Sequence, residues 1–214
     1  MPNTMYRLTE TQAPAAEPLD FSEVKAFLRV DHNSDDVLIA GLISAARHFC
    51  ENLTGRSLIN RNYSLYLDCW PSAPAPEWWD GVREGADIAR NNGSIHLPKS
   101  PLVSVTRVNV YDAAGAATEF ASANYFVDTV GNPGRLVLKD GVMPPTPGRP
   151  ANGIEIQFIA GYGPTSASIP APLKHGMKQV IAHLYQYRGD TPEQALVASG
   201  ATVLFRPYKA MSVV

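Results

Sequence analysis

Hydrophobic residues between positions 19 and 30 recur at the spacing of a short amphipathic helix. Phe21, Val24, Phe27 and Leu28 would share one face of that helix. Asp20 precedes the apolar positions and Glu23 follows three residues later, a pair typical of a capped helix start. The pattern predicts a helix of about two turns.

A longer helical pattern follows after a break at residues 31–33. Ser34 is the predicted N-cap, and Asp35 and Asp36 in the first turn suit the positive end of the helix dipole. Gly55 supplies the stop. The buried stripe comprises Leu38, Leu42, Ala45, Phe49 and Leu53, widened by Ile39, Ile43 and Ala46. Two helices joined by so short a turn must pack on each other or on a third helix.

From Ser57 onward, apolar and polar residues alternate in short runs separated by turn residues. Alternation with period two predicts strands, and residues 112–115 form the predicted hairpin turn. Many short strands with frequent turns favour an antiparallel sheet or small sandwich. The candidate strands are residues 63–67, 95–97, 103–110, 118–120, 125–128, 135–138 and 154–160.

Helical spacing resumes after Pro170 and ends near Gly189. Thr191 as cap and Pro192 as first residue predict a last short helix that stops at Gly200. The apolar tail beyond it is open to two interpretations. It is either an extended segment that docks on another chain or a strand that folds back on its own domain.

The sequence therefore predicts an α+β protein, a helical bundle with an inserted antiparallel β-sheet or small sandwich. Residues 1–18 form an extended or mobile arm, and residues 201–214 a C-terminal tail. The helical domain is discontinuous, comprising residues 19–56 and 164–200, and the β-rich insertion spans residues 57–163.

Composition limits the classes of function. The formal net charge is −2, from 18 basic and 20 acidic residues, so broad attraction to nucleic acid or anionic membrane is not expected. The first ten residues lack the features of a signal peptide, and no apolar run approaches the ~20 residues of a membrane span. Cys50 and Cys69 are too few for a disulfide framework. We expect a soluble chain made in the cytoplasm.

Candidate chemistry is sparse. Residues 31–35 begin like a calcium loop, but Asp36 and Leu42 stand where the loop needs glycine and glutamate, so helix capping is the better interpretation. His175 and His183 share a helix face with Gln179 but lack further metal ligands. No catalytic, metal or cofactor-binding residues are predicted, and no cofactor is expected.

Three tryptophans, Trp70, Trp78 and Trp79, lie in a proline-rich stretch. They could form a platform for sugar stacking, although packing within the chain or at a protein interface is favoured. A β-rich receptor- or carbohydrate-binding tail module is therefore the alternative function. A hydrolase assembled from distant residues is a further alternative that no sequence feature favours.

Several motifs in order resemble the head–tail connector (adaptor) proteins of tailed bacteriophages and gene transfer agents. The first is the helix pair, with Val24-Lys25, Phe27-Leu28-Arg29-Val30-Asp31 and Asp35-Asp36, completed by Glu51-Asn52-Leu53-Thr54-Gly55-Arg56. Matches then follow at residues 97–102, 160–163, 169–170 and 184–189. Minimal connectors lack a long insertion, so residues 57–160 resemble only the longer branch of the family.

The resemblance implies a structural subunit of the virion head–tail junction, with no enzymatic activity, that is made in the bacterial cytoplasm. It would form a closed ring of roughly twelve copies beneath the portal. The ring would join capsid to tail, receive a tail-side stopper or tail-terminator protein, and let DNA pass without specific binding. The implied portal-docking residues are Leu204, Phe205, Arg206, Pro207 and Tyr208. Plausible subunit-interface residues are Asp35, Asp36, Arg47 and Arg188.

Overall fold

A computed structural model describes residues 6–71 and 94–210, so Trp78 and Trp79 lie outside the described residues. The helices of the described part are α1 (Phe21–Leu28), α2 (Asp36–Thr54), α3 (Ala171–Gln186), α4 (Pro192–Ala198) and α5 (Ala201–Phe205). The strands are β1 (Tyr6–Glu10), β2 (Arg61–Leu67), β3 (Ile95–His96), β4 (Leu102–Tyr111), β5 (Ala117–Glu119), β6 (Tyr125–Asp128), β7 (Arg135–Leu138) and β8 (Ile154–Ala160). Short 3₁₀ segments occur at residues 122–124, 166–168 and 206–208.

The strands form two antiparallel sheets that share one hydrophobic core. The larger sheet has the order β1-β2-β8-β4-β5 and the smaller one the order β3-β7-β6. Alternate residues of β2 and β8 point inward, where they meet Ile95, Leu97 and Leu136 of the smaller sheet in the sandwich cluster. The predicted α+β class, with an inserted antiparallel sheet or small sandwich, is confirmed.

The helices enclose a second core, the helical cluster. Its buried members include Val24 of α1, Ile39, Ile43 and Cys50 of α2, and Leu173, Met177 and Ile181 of α3. The α2 helix packs on α3, as the short turn after α1 required. None of the helices in the described ranges has the length and apolarity needed to cross a bilayer.

The N-termini of α1 and α2 differ in their capping: the N-cap side chain of α1 makes cap hydrogen bonds and that of α2 does not. The Asp20 side chain accepts hydrogen bonds from the backbone N–H groups of Ser22 and Glu23, as predicted. The Ser34 cap was wrong, because the N-cap position of α2 is Asp35 and its side chain makes no cap hydrogen bond. Asp35 is instead held by a tertiary partner, which local sequence rules do not anticipate.

The described part of the N-terminal arm begins with a strand. Strand β1 pairs with β2 from Tyr6↔Leu67 to Glu10↔Tyr63 and forms an edge of the larger sheet. Only Leu8 of this strand is partly buried against the sandwich cluster. The strand therefore owes its place chiefly to main-chain hydrogen bonds, which explains why its sequence lacks an apolar signal.

The C-terminal tail is neither an extended segment nor a strand up to residue 210. It folds back on its own domain as α5 and a 3₁₀ turn at Arg206–Tyr208. Phe205 is fully buried in the helical cluster. Of the two interpretations, folding back on the same domain holds for these residues, but as a helix and not as a strand, because they complete the core between α2 and α3.

Five charged residues, the charge junction, lie between the two cores. Glu51 of α2 pairs with Arg61 at the start of β2 and with Arg47 one helical turn away, at 3.6 Å. Arg61 forms a second ion pair with Glu10 at 3.0 Å, and Arg47 forms a second ion pair with Glu17 at 2.9 Å. Arg47, Glu51 and Arg61 are each only 5% exposed. The junction thus joins the N-terminal segment, the helices and the larger sheet.

The Glu51 carboxylate also accepts a hydrogen bond from the backbone of the segment that connects α2 to β2. Its Oε1 atom accepts a hydrogen bond from the Leu58 backbone N–H at 3.0 Å. Burial by itself lowers the pKa of Arg61, but the hydrogen bond and charge of Glu51 outweigh burial and raise it. Arg61 therefore stays charged, and removal of Glu51 would leave its buried charge paired only with Glu10, whose side chain is 38% exposed.

Substituting Glu51 tests this dependence. We expect Glu51→Gln to lower the free energy of unfolding by about 3 kcal/mol, because two buried arginines lose their shared counter-ion. The matched control is Glu119→Gln, whose partner Arg107 lies in an exposed pair, so a loss of about 0.5 kcal/mol or less is expected. Urea denaturation of both variants measures the difference, and equal losses would contradict the assigned role of Glu51.

Candidate assembly surfaces

Two of the acids predicted for subunit contacts are engaged within the chain. The Tyr185 hydroxyl donates to Asp35 Oδ2 at 2.5 Å and ties the start of α2 to the end of α3. Asp36 Oδ1 lies 2.7 Å from Lys25 Nζ. Both carboxylates therefore have partners within the subunit, and their predicted contacts with a neighbour stay a prediction.

The turn that resembles a calcium loop is organised by an ammonium group. Lys25 Nζ donates to the His32 carbonyl at 2.8 Å and to Asn33 Oδ1 at 3.0 Å, in addition to Asp36. A lysine cation thereby occupies Asn33 Oδ1, one of the oxygens that a calcium loop would use, and Asp35 is bound by Tyr185. No cluster of potential metal ligands is found among the residues that the structure describes.

The two arginines predicted for subunit contacts have different surroundings. Arg47 is buried and held by Glu17 and Glu51, so the interface expectation is corrected to an internal structural role. Arg188 is exposed just beyond α3, with its guanidinium 5.7 Å from the centre of the Tyr185 ring. Of the four predicted interface charges, Arg188 is the one available to a partner.

The C-terminal residues are held against α2 and α3 by specific contacts. The Phe205 ring lies on Gly176 of α3, where an added Cβ would come within 2.5 Å of the ring. The Arg56 side chain donates to the Tyr208 carbonyl, and the Ala210 N–H donates to the Thr54 carbonyl at 2.7 Å. Phe205 and the Tyr208 backbone are therefore structural elements of this subunit.

The outward side of the same segment remains open. Val197 of α4 and Val203 of α5 are each 74% exposed, and Arg206 and Pro207 are exposed next to them in sequence. We call these four residues the hairpin face. Large aliphatic side chains so exposed on two consecutive short helices are available to a partner.

The remaining aromatic and histidine candidates have internal partners. Trp70 Nε1 donates to the Pro145 carbonyl at 2.9 Å, and its ring lies 5.3 Å from the Phe120 ring. Trp70 thus fits the packing interpretation. His183 Nε2 lies 2.7 Å from Asp190 Oδ2, and the exposed His175 lies edge-on to Phe27.

A polar cluster on the outer face of the larger sheet escaped the sequence analysis. Glu155 is 6% exposed in the central strand β8, yet no basic side chain pairs with it in the described structure. Five side chains donate to its two oxygens instead: Ser64 (3.0 Å), Tyr66 (3.1 Å), Asn109 (3.2 Å), Tyr111 (2.7 Å) and Gln157 (3.1 Å). The only local signal was the pair of polar residues Glu155 and Gln157 among the apolar residues of β8.

These hydrogen bonds control the protonation of Glu155. Burial alone would raise its pKa, but the hydrogen bonds to the charged form outweigh burial and lower the pKa to about 2. The carboxylate is fully satisfied as an acceptor, so the cluster cross-links β2, β8 and β4. Its chemistry is that of a structural network.

The buried arginines Arg47 and Arg61 have glutamate partners within the chain, and Val197 and Val203 are exposed. Comparison of the sequence with family models identifies the class more closely. Residues 19–132 match the family of phage gp6-like head–tail connector proteins, which is a little over half of the 214 residues. The chain belongs to this family. Among proteins with curated functions, none matches the sequence.

Solved structures show the same fold over almost the whole chain. One match is in the virion of a native gene transfer agent particle, at 22% identity and a TM-score of 0.73. Two others are in necks of such particles, an empty one computed with C6 symmetry (21%, TM-score 0.74) and a native one computed with C12 symmetry (20%, TM-score 0.64). Each match covers 97% of both chains.

The contact between Phe205 and Gly176 gives a stability prediction. Gly176→Ala should lower the free energy of unfolding by about 1–2 kcal/mol, because overpacking of the buried ring exceeds the gain in helix propensity. Gly41 of α2 is the matched control, since it is exposed and a Cβ there meets nothing within 4 Å. Gly41→Ala should add about 0.5–1 kcal/mol. Equal gains in urea denaturation would argue against the docked position of Phe205.

The Glu155 network predicts a dependence of stability on pH. A folded pKa of about 2, below the ordinary 4.5, contributes stability that is present above pH 4.5 and is lost as pH falls toward 2. The contribution is about 3 kcal/mol. Glu155→Gln should therefore show a smaller loss of unfolding free energy between pH 5 and pH 2 than the wild type. Glu119→Gln should keep the wild-type slope, and an unchanged slope in Glu155→Gln would contradict the assignment.

Proposed function

We propose that the protein is a head–tail connector subunit that forms a ring beneath the portal, joins the capsid to the tail and continues the DNA channel. The observation that carries this proposal is the family match over residues 19–132. It is supported by the fold that this chain shares with proteins of gene transfer agent particles, over 97% of the length of each chain. The site of action is then the virion head–tail junction. The role is structural, without bond-making chemistry.

The proposed ring has roughly twelve copies. The C6 and C12 symmetries of the matched necks support a closed rotational assembly. A closed ring repeats every subunit contact around its circumference, so a modest pairwise interface gives a stable assembly. Arg188 is the proposed contact charge, because Asp35, Asp36 and Arg47 are engaged inside the subunit.

The hairpin face is the proposed portal-docking surface. This surface includes only part of residues 204–208, the set predicted for portal docking. Phe205 is buried in the helical cluster and Leu204 is partly buried against it. Arg206 and Pro207 stay exposed beside Val203. An aliphatic patch with one positive charge suits a hydrophobic pocket with an acidic rim on the portal. The opposite side of the ring would receive a stopper or tail-terminator protein.

Charge is consistent with passage of DNA without specific binding. The chain carries a formal net charge of −2, and its buried arginines are neutralised by glutamates. Tight binding to DNA requires many phosphate contacts from lysine or arginine. A nearly neutral subunit would let DNA slide past.

Substitutions on the hairpin face test docking without removing the core. Val203→Asp combined with Arg206→Glu should reduce binding to the portal ring of the same particle at least tenfold, because a buried contact becomes charged and one charge is reversed. The measurement is co-sedimentation of the connector with portal rings, followed by image averaging to count connector copies. Truncation at residue 203 is less informative, since it also removes Phe205 from the core.

A valine exposed elsewhere supplies the matched control. Val130 is 94% exposed in the loop after β6, so Val130→Asp should leave portal binding and folding unchanged. Wild-type binding by the hairpin-face variant would overturn the docking surface. Absence of any ring on the portal with the wild-type chain would overturn the proposed function itself.

A further inference from the structure

The N-terminal residues 6–17 form a strap that lies across the charge junction. The strap pairs with β2 through five residue pairs, and the Thr11 backbone N–H extends the ladder to the Asn62 carbonyl at 3.0 Å. Its side chains are exposed or half-exposed throughout. Firm apolar anchoring begins only after it, at Pro18 and Leu19, which are buried at the start of the helical domain.

Each ion pair between the strap and the rest of the protein joins a buried arginine to a half-exposed glutamate of the strap. The side chains of Arg61 and Arg47 are 4% and 7% exposed, whereas those of their strap partners Glu10 and Glu17 are 38% and 40% exposed. Glu51 alone cannot neutralise both buried arginines. The body of the subunit therefore holds a preformed receptor for an acidic extended segment, and the strap satisfies it from the surface.

Nothing in this receptor requires the strap to come from the same chain. Residues 11–17 contain no helix or strand and include Pro14, so the connection between β1 and the helical domain is irregular. The strap also lies outside residues 19–132, the stretch that matches the connector family. A terminal strand with few buried side chains and an irregular connection is suited to exchange between identical subunits, which preserves every contact.

We propose that in the assembled ring β1 and Thr11 of one subunit bind β2 of its neighbour, with Glu10 on the neighbour's Arg61, while residues 12–17 make the connection and Glu17 stays on its own Arg47. This inference rests on the proposed ring function and adds the element that links adjacent copies. In the free chain the strap covers its own β2 edge and protects it from unwanted strand pairing. On assembly, Glu10 would form the same ion pair with Arg61 across the subunit boundary. Each subunit would then be tied to the next by a strand and an ion pair.

Disulfide trapping between Thr11 and Asn62 distinguishes the two arrangements. Both residues are exposed, and the Thr11 backbone N–H donates to the Asn62 carbonyl at 3.0 Å, so a small backbone movement brings the two cysteines into disulfide range. One chain carries Thr11→Cys and a second carries Asn62→Cys. Both also carry Cys69→Ser, because Cys69 is exposed, whereas Cys50 is buried and can remain.

The two chains are mixed, assembled on portal rings, oxidised mildly and separated without reductant. We expect a disulfide-linked species at twice the 23.2 kDa chain mass in the ring fraction, and its absence from the unassembled fraction. Rings made from either single variant alone should contain no such species. The double variant Thr11→Cys/Asn62→Cys should give ladders of linked subunits in rings and an internal disulfide in the free chain.

The outcomes separate this inference from the proposed function. Rings in which the double variant remains a single-chain species with an internal disulfide would overturn strap exchange and leave the connector role intact. Failure of the wild-type chain to form any ring would overturn both. Linked subunits in rings, lost when Glu10→Lys removes the acidic partner of Arg61, would establish exchange through the charge junction.

Discussion

The arrangement of the helices and the larger sheet depends on the ion pairs and the hydrogen bond of the buried Glu51 carboxylate. It neutralises Arg47 and Arg61 and also binds the Leu58 N–H, so one side chain fixes the end of α2, the chain after it and the start of β2. An ion pair at this depth contributes little net stability, but its geometry tolerates few alternatives. The junction therefore serves chiefly to specify how helices and sheet meet.

The two cores around this junction are closed by different means. The sandwich cluster is closed by apolar residues of two sheets, and a carboxylate with five donors cross-links the outer face of the larger sheet. The helical cluster is closed by the C-terminal segment, where Phe205 fits the surface left by Gly176. A chain end that completes the core presents its outer side in a fixed position. That rigidity suits a docking surface, because little conformational entropy remains to be lost on binding.

Local patterns predicted most elements closely. The alternating runs correspond to β2 and β4 to β8, and the Thr191-Pro192 start of α4 has the full capping box with Gln194. Two segments were not predicted as the elements that they form. Strand β1 and helix α5 carry weak periodic signals, and they form because they bind surfaces made by distant residues. The internal partners of Asp35, Asp36 and Arg47 were missed for the same reason, since these partners lie elsewhere in the chain.

The sequence by itself determined the element types, the α+β class and the family resemblance. These follow from periodicity, caps and ordered motifs, which act over a few neighbouring residues. The tertiary structure alone decided which charges are internal, which side of the C-terminal segment is open and where the N-terminal strand pairs. Each of these depends on contacts between residues far apart in the chain, such as Glu51 with Glu10 through Arg61. Burial and pairing are properties of the packed chain, and no local pattern encodes them.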